Sequence, residues 1–176
     1  MKALASLRKG MNTVLGYITA VIFALMVCIG TYQIVTRYFF NSPSTVSEEL
    51  LTYLFTWLSL LAAAYVFGKR DHMRMGFLAD KVTGTARKVL ETVIELLVML
   101  MVGGIMIYGG FSIMQLTMTQ KTASLGIPMG VIYTILPISG ILIFLYGILN
   151  IIDLWHGAAE ESQEAGERLA AERSTK

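Results

Sequence analysis

Four stretches of this 176-residue sequence are long and apolar enough to cross a bilayer, and they take up most of it. They run over about residues 14–36, 50–67, 96–118 and 131–152. A hydrocarbon core about 30 Å thick takes roughly 20 consecutive apolar residues in a helix. Backbone amides and carbonyls find no water there, so a long uninterrupted apolar run must satisfy them within itself. The sequence therefore predicts an all-α integral membrane protein with four transmembrane helices in residues 1–156. Composition agrees: hydrophobic residues make up 55% and charged residues 15%, and the mean hydropathy is +0.64. A soluble domain this small would expose too much apolar surface. The lipid bilayer is thus the first expected partner.

The charges are distributed unevenly. Lys2, Arg8 and Lys9 precede the first span; Lys69, Arg70, Arg74, Lys81, Arg87 and Lys88 lie between the second and third; Arg168, Arg173 and Lys176 follow the fourth. Only Arg37 and Lys121 fall on the opposite side. The positive-inside rule then puts both termini in the cytoplasm. The basic start and apolar run superficially resemble a secretory signal. The run is too long and lacks a small-residue cleavage site, so it is read as a retained span. The single cysteine, Cys28, lies deep in that span and is expected to pack as a small apolar residue.

In the first span Gly16, Ala20, Ala24 and Cys28 recur every four residues, a face that another helix could approach closely. Tyr32, Tyr38, Phe39 and Phe40 fit an aromatic belt at the outer interface. Asn41-Ser42-Pro43-Ser44 reads as a turn. Thr45-Val46-Ser47-Glu48 fits a capping box, with Thr45 accepting from the Glu48 amide. Glu48 and Glu49 open the second span, where the helix dipole favours negative charge. Two roles stay open for them, solvation at the helix start or contact with a partner. A charge at the bilayer centre costs about 2.5–3.5 kcal/mol on insertion scales. Arg37 is therefore expected at the same interface, paired with Glu48, Glu49 or a partner subunit. Trp57 lies roughly 10 Å along the helix from Leu50, too deep for a belt. Its indole N–H needs an acceptor, so protein contact is expected. Ala62-Ala63-Ala64 offers a slim packing surface.

Residues 68–84 form a basic connector containing His72. Over 85–97, Ala86, Val89, Leu90, Val93, Ile94 and Leu97 alternate at helical spacing with Arg87, Lys88, Glu91 and Glu95. This amphipathic segment would lie in the cytoplasmic interface or extend the third span. Glu91 and Glu95 are expected on its polar face. Gly103-Gly104 and Gly109-Gly110 cost helix propensity, about 1 kcal/mol per Gly against Ala in water. Packing or a bend would justify them. Pro128 can open the fourth helix. Pro137 falls inside that helix, removes an amide donor and crowds the Tyr133 carbonyl, which predicts a kink. Gly140 and Gly147 share a face. Residues 157–176 read as a charged, solvated tail.

Catalytic constellations are not found. His72 and His156 flank the spans, so a bis-histidine haem between helices is not expected. No phosphate-binding loop, zinc spacing or Ser-His-Asp set occurs. Neither a cofactor, an enzyme activity nor a nucleic-acid partner is expected. The central portions of the spans lack charge, and no internal repeat is evident. Coupled transport normally needs such intramembrane charges or broken helices in repeated halves. The chain is therefore read as an accessory subunit; a small self-sufficient oligomeric transporter and an anchor for another complex remain the alternatives.

An ordered set of motifs carries a family resemblance. They are Arg37-Tyr38-Phe39-Phe40-Asn41, Glu48-Glu49-Leu50, Leu54-Phe55-Thr56-Trp57, Leu61-Ala62-Ala63-Ala64, His72-Met73-Arg74-Met75, Leu125-Gly126-Ile127-Pro128 and Leu136-Pro137-Ile138. Together they resemble the small, DctQ-like membrane subunit of tripartite ATP-independent periplasmic (TRAP) transporters. The chain departs from that pattern at Val46, Ala62 and Gly76. The resemblance implies a scaffold for a large multi-span membrane subunit that takes up an organic acid from a periplasmic binding protein, driven by an ion gradient. It makes Arg37, Glu48, Glu49, Trp57, Ala62, Ala63, His72, Pro128 and Pro137 the candidates for partner contact.

Overall fold

The computed structural model describes residues 2–69 and 85–174, with side chains over 6–69 and 89–154. His72 and the connector motif lie outside the described residues. Helix α1 spans Lys2–Tyr38 and α2 spans Thr45–Gly68. The third crossing is composite: α3 over Thr85–Met101, a π-helical segment over Val102–Gly109, and α4 over Gly110–Thr117. The fourth is α5 over Met129–Tyr133 and α6 over Ile135–Ser174. The four membrane-crossing stretches are Ser6–Tyr38, Thr45–Gly68, Val89–Thr117 and Met129–Leu154. Residues 89–97 thus continue directly into the third span, and the backbone of the tail stays helical to Ser174.

The turn after α1 is built by Asn41, whose φ of 51° is left-handed. Asparagine tolerates this region better than most residues. The reversal brings the Ser42 N–H back to the Thr36 carbonyl at 3.1 Å, satisfying one of the acceptors that a helix end leaves open. The N-cap of α2 is Ser44, not Thr45. Ser44 is extended (φ −98°, ψ 105°), and its Oγ accepts from the Ser47 amide at 3.4 Å and the Ser47 hydroxyl at 2.9 Å. Capping falls one residue earlier because Ser44 is the last extended residue. Glu48 then sits too far along the helix to close a capping box.

The helices stand in a row. α1 packs on α2, α2 on the fourth span, and the fourth span on the third; α2 and the third span have little direct contact. The fourth span is therefore central: 44% of an 18-residue apolar stretch within it is buried, against 6% of the corresponding stretch in the third. Its glycines make this position possible. A Cβ on Gly130 would lie 2.5 Å from the Met114 carbonyl oxygen, and one on Gly147 would lie 2.8 Å from Met99 Cγ. Gly140 meets Met106 and Ile107 at 3.0 Å, so Gly140 and Gly147 do share the face that receives the third span. From the other side, Gly110 abuts Leu136 and Pro137. Gly103 and Gly104 face open space and coincide with the π-helical segment. The two doublets thus divide the expected roles: Gly110 packs, while Gly103-Gly104 accompany a local change of helix type.

The first span packs through Leu15, Ile22 and Met11, whereas Ala20, Ala24 and Cys28 are exposed. Of the small-residue face only Gly16 meets another helix, its virtual Cβ 3.5 Å from the Tyr65 hydroxyl.

Gly130→Ala should destabilise the protein by about 1–3 kcal/mol, the usual cost of overpacking. Gly103→Ala should be neutral or stabilising. Reversible unfolding in mixed micelles distinguishes them; equal effects would contradict the packed-seam assignment.

Candidate functional site

The polar side chains collect at three depths. In the middle, the fourth span breaks at Thr134, between α5 and α6. Pro137 has no N–H to give the Tyr133 carbonyl, so the helix opens one turn before it. The Thr134 hydroxyl donates to the Val131 carbonyl at 2.6 Å. The Trp57 indole N–H donates across to the Ile132 carbonyl at 3.1 Å. The kink expected from Pro137 and the protein contact expected of Trp57 are thus one feature, made inside the chain.

At the end carrying the 38–45 turn, the Thr119–Pro128 connection folds back on itself. Thr122 N–H donates to the Ile127 carbonyl at 2.9 Å, and Ile127 N–H to the Thr122 hydroxyl at 3.1 Å. Gly126 takes a φ of +66°, a conformation costly for other residues. Pro128 serves as the N-cap before Met129 rather than as the first helical residue. This fold points three successive amides at one side chain. Glu49 Oε1 accepts from Ala123 N–H at 3.1 Å, and Oε2 from Ser124 and Leu125 N–H at 2.7 and 2.9 Å. The Tyr53 hydroxyl adds a fourth donor at 2.6 Å. Only an ionised carboxylate accepts on both oxygens in this way.

At the opposite end Arg8 closes the C-terminus of α2. Its Nε and Nη2 both donate to the Gly68 carbonyl, at 3.0 and 2.6 Å. Nη2 also reaches Asn150 Oδ1 at 3.1 Å, and Nη1 pairs with Asp153 at 2.9 Å. Asn150 Nδ2 donates to Glu95 Oε1 at 2.8 Å, and the Tyr146 hydroxyl to Asn12 Oδ1 at 2.7 Å. All four spans contribute. Cation and dipole favour each other at a helix C-terminus. Tyr146 is fully buried, against Gly68, where no side chain would fit.

The candidates from sequence are distributed as follows. Glu49 and Trp57 bind backbone inside the chain. Arg37 forms no salt bridge with Glu48 or Glu49: the Glu49 oxygens are already taken by the loop amides and Tyr53. Arg37, Glu48 and Ala63 are exposed, Ala62 is half-buried, and Ala64 is fully buried. Pro128 and Pro137 shape the two ends of the α5 turn. Glu95 is not on a solvated face; it is half-buried and bonded to Asn150. Sequence reasoning missed the Arg8 cluster. Its available signal was one amide, Asn150, inside an otherwise apolar stretch of the fourth span.

Every bonded polar group described above serves to close backbone or join helices. Among the described residues no group of three His, Cys, Asp or Glu could hold a metal ion. The fold and these contacts define a multi-pass membrane protein whose polar chemistry is architectural. The profile of the DctQ component of tripartite ATP-independent periplasmic transporters matches residues 26–157. The chain belongs to this family and is a small membrane subunit of a TRAP transporter. It is 30% identical over 162 residues to the sialic acid TRAP transporter small permease protein SiaQ of Vibrio cholerae, covering 90% of this chain and 93% of that one. A putative TRAP transporter small permease protein of Haemophilus influenzae is 30% identical over 138 residues, 78% of this chain and 85% of its own. The sialic acid TRAP transporter permease protein SiaT of H. influenzae is 31% identical over 83 residues, 47% of this chain but 13% of its own.

Glu49→Gln presents an amide donor to amide donors. Hydrogen exchange at Ala123–Leu125 should accelerate about tenfold or more, given roughly 1.5–3 kcal/mol for a bond to a charged group. Glu48→Gln should leave those amides unchanged. Trp57→Phe should lower unfolding stability by about 1 kcal/mol, near the upper range for interhelical hydrogen bonds in membranes. No change on equilibrium unfolding would detach Trp57 from the Ile132 carbonyl.

Proposed function

We propose that this chain braces the large permease of a TRAP transporter in the inner membrane and carries out no reaction and no transport of its own. The observation that carries this reading is the row itself. The described helices form a single file that encloses no passage for a solute, and the bonded polar side chains close on the chain's own backbone or on one another. The SiaT relative supports a large partner, since a segment like this one occupies a small part of a longer permease.

In this reading both termini are cytoplasmic, consistent with the Lys and Arg distribution. The Thr119–Pro128 loop and the 38–45 turn then face the periplasm, where a binding protein delivers a carboxylated substrate. Glu49 keeps that loop in one shape. Arg37 and Glu48 are exposed beside it and form no ion pair among the described residues, which suits them to contact a partner. Ala63 offers a shallow surface within the membrane, and His72 in the connector is a further contact. The coupling ion acts in the large permease, and no cofactor takes part.

Proteoliposomes holding the large permease and supplied with its binding protein test this. Uptake should require the small chain, and full uptake without it would overturn the proposal. Arg37→Ala with Glu48→Ala should lower uptake severalfold while leaving the small chain folded. Solute movement by the small chain alone would also count against the bracing role.

A further inference from the structure

At the N-terminal end of α1 lies a recess of about 400 Å³, lined by Arg8, Lys9, Asn12, Thr13, Tyr65 and Asp153. Its chemistry is unbalanced. Arg8 is committed to Gly68, Asn150 and Asp153. The Thr13 hydroxyl donates to its own helix, to the Lys9 carbonyl. Asn12 uses only its oxygen, for Tyr146. What is left is a set of donors: the Lys9 ammonium, the Asn12 amide nitrogen and the Tyr65 hydroxyl. Lys69 adds positive charge close by, its Nζ 4.5 Å from the centre of the Tyr65 ring. Such a set calls for an acceptor-only, negatively charged group.

The recess also has a depth. α1 is polar through Arg8–Thr13 and apolar from Val14 onward, so these donors stand where lipid headgroups meet hydrocarbon. On the same helix face as Lys9, at spacings of seven, four, three and four, follow Gly16, Ala20, Phe23 and Val27. Phe23 and Val27 are more than half exposed, and Ala20 is exposed as well. Beyond Gly16, which meets Tyr65, no described helix covers this edge of the small-residue face. The result is a cationic foot beneath a shallow apolar track.

We propose that the recess holds the phosphodiester headgroup of a membrane glycerophospholipid, with one acyl chain lying along Gly16 and Ala20. Lys9, Asn12 and Tyr65 hold the phosphate oxygens. Asp153, with 42% of its side chain exposed, stands at the rim where the ammonium of an ethanolamine headgroup would fall. A bare anion would use the foot but not the track. A helix of another subunit would use the track but leave the Lys9 charge without a counter-charge unless it brought a carboxylate.

The test is native mass spectrometry of the delipidated full-length chain titrated with dioleoylphosphatidylethanolamine. Inorganic phosphate and glycerophosphoethanolamine form parallel arms. One lipid should bind per chain in preference to the additional, weaker adducts. Lys9→Gln should weaken that site about tenfold, as for one charge-assisted hydrogen bond. Ala20→Phe, which fills the track, should weaken it comparably, and Ser112→Ala on the third span should not change it. Thermal melts of each variant verify folding. Unchanged lipid affinity in Lys9→Gln would overturn the proposal, as would equal binding of the deacylated headgroup or of phosphate. High-yield crosslinking of Ala20→Cys to the large permease, with lipid binding insensitive to both variants, would make the face a protein contact instead.

Discussion

A backbone group that leaves helical bonding near hydrocarbon must find a partner inside the protein. Among the described residues, the 38–45 turn is closed locally by Ser44, and three other places where the backbone leaves helical bonding are closed by a side chain from far away in sequence. Glu49 receives the amides of Ala123, Ser124 and Leu125. Trp57 gives its indole N–H to Ile132. Arg8 takes the last carbonyl of α2 at Gly68. The three clasps lie at one end, the middle and the other end of the bundle. Two join α2 to the fourth span or the loop preceding it, and the third ties α1 to α2 and, through Asn150 and Asp153, to the fourth span.

Magnitudes assign these contacts a role. Interhelical hydrogen bonds in membranes average about 0.6 kcal/mol, so no single clasp determines whether the helices associate. Close packing at Gly110, Gly130, Gly140 and Gly147 is the better source of association between the third and fourth spans. What a clasp adds is register. A side chain bound to one particular carbonyl or amide resists sliding by a turn, which smooth apolar surfaces do not. A one-layer row needs this more than a closed bundle does, because its outer helices are each held from one side only. A brace for a larger subunit must keep its shape before its partner arrives, and the clasps are placed to provide that.

The same contacts explain what could be read from sequence. Span lengths, the break near Pro137 and the shared face of Gly140 and Gly147 follow from local chemistry, and the chain shows them. Trp57 announced its need for an acceptor by depth alone. The N-cap was displaced by one residue, from Thr45 to Ser44, because two neighbouring hydroxyls compete for the role and only the backbone angle decides. The pairing of Arg37 with the Glu pair failed for a different reason. Opposite charges at one interface looked sufficient, but Glu49 is taken by amides that carry no sequence signature. Arg8 finds its partners 60, 142 and 145 residues away, a distance over which periodicity says nothing. Family motifs that looked independent, Glu48-Glu49-Leu50 with Leu125-Gly126-Ile127-Pro128, and Trp57 with the Pro137 stretch, turn out to be brought together in space.

The central claim is that the clasps, and not apolar packing alone, fix the register of the row. Spin labels at Phe55 and Ile138, both exposed on neighbouring helices, report that register in a bilayer once Cys28 is replaced by alanine. Pulsed dipolar spectroscopy should give one narrow distance distribution for the otherwise native chain. Combining Arg8→Gln, Glu49→Gln and Trp57→Phe should broaden it or split it into several distances while helix content is kept. An unchanged narrow distribution in that triple variant would contradict the account.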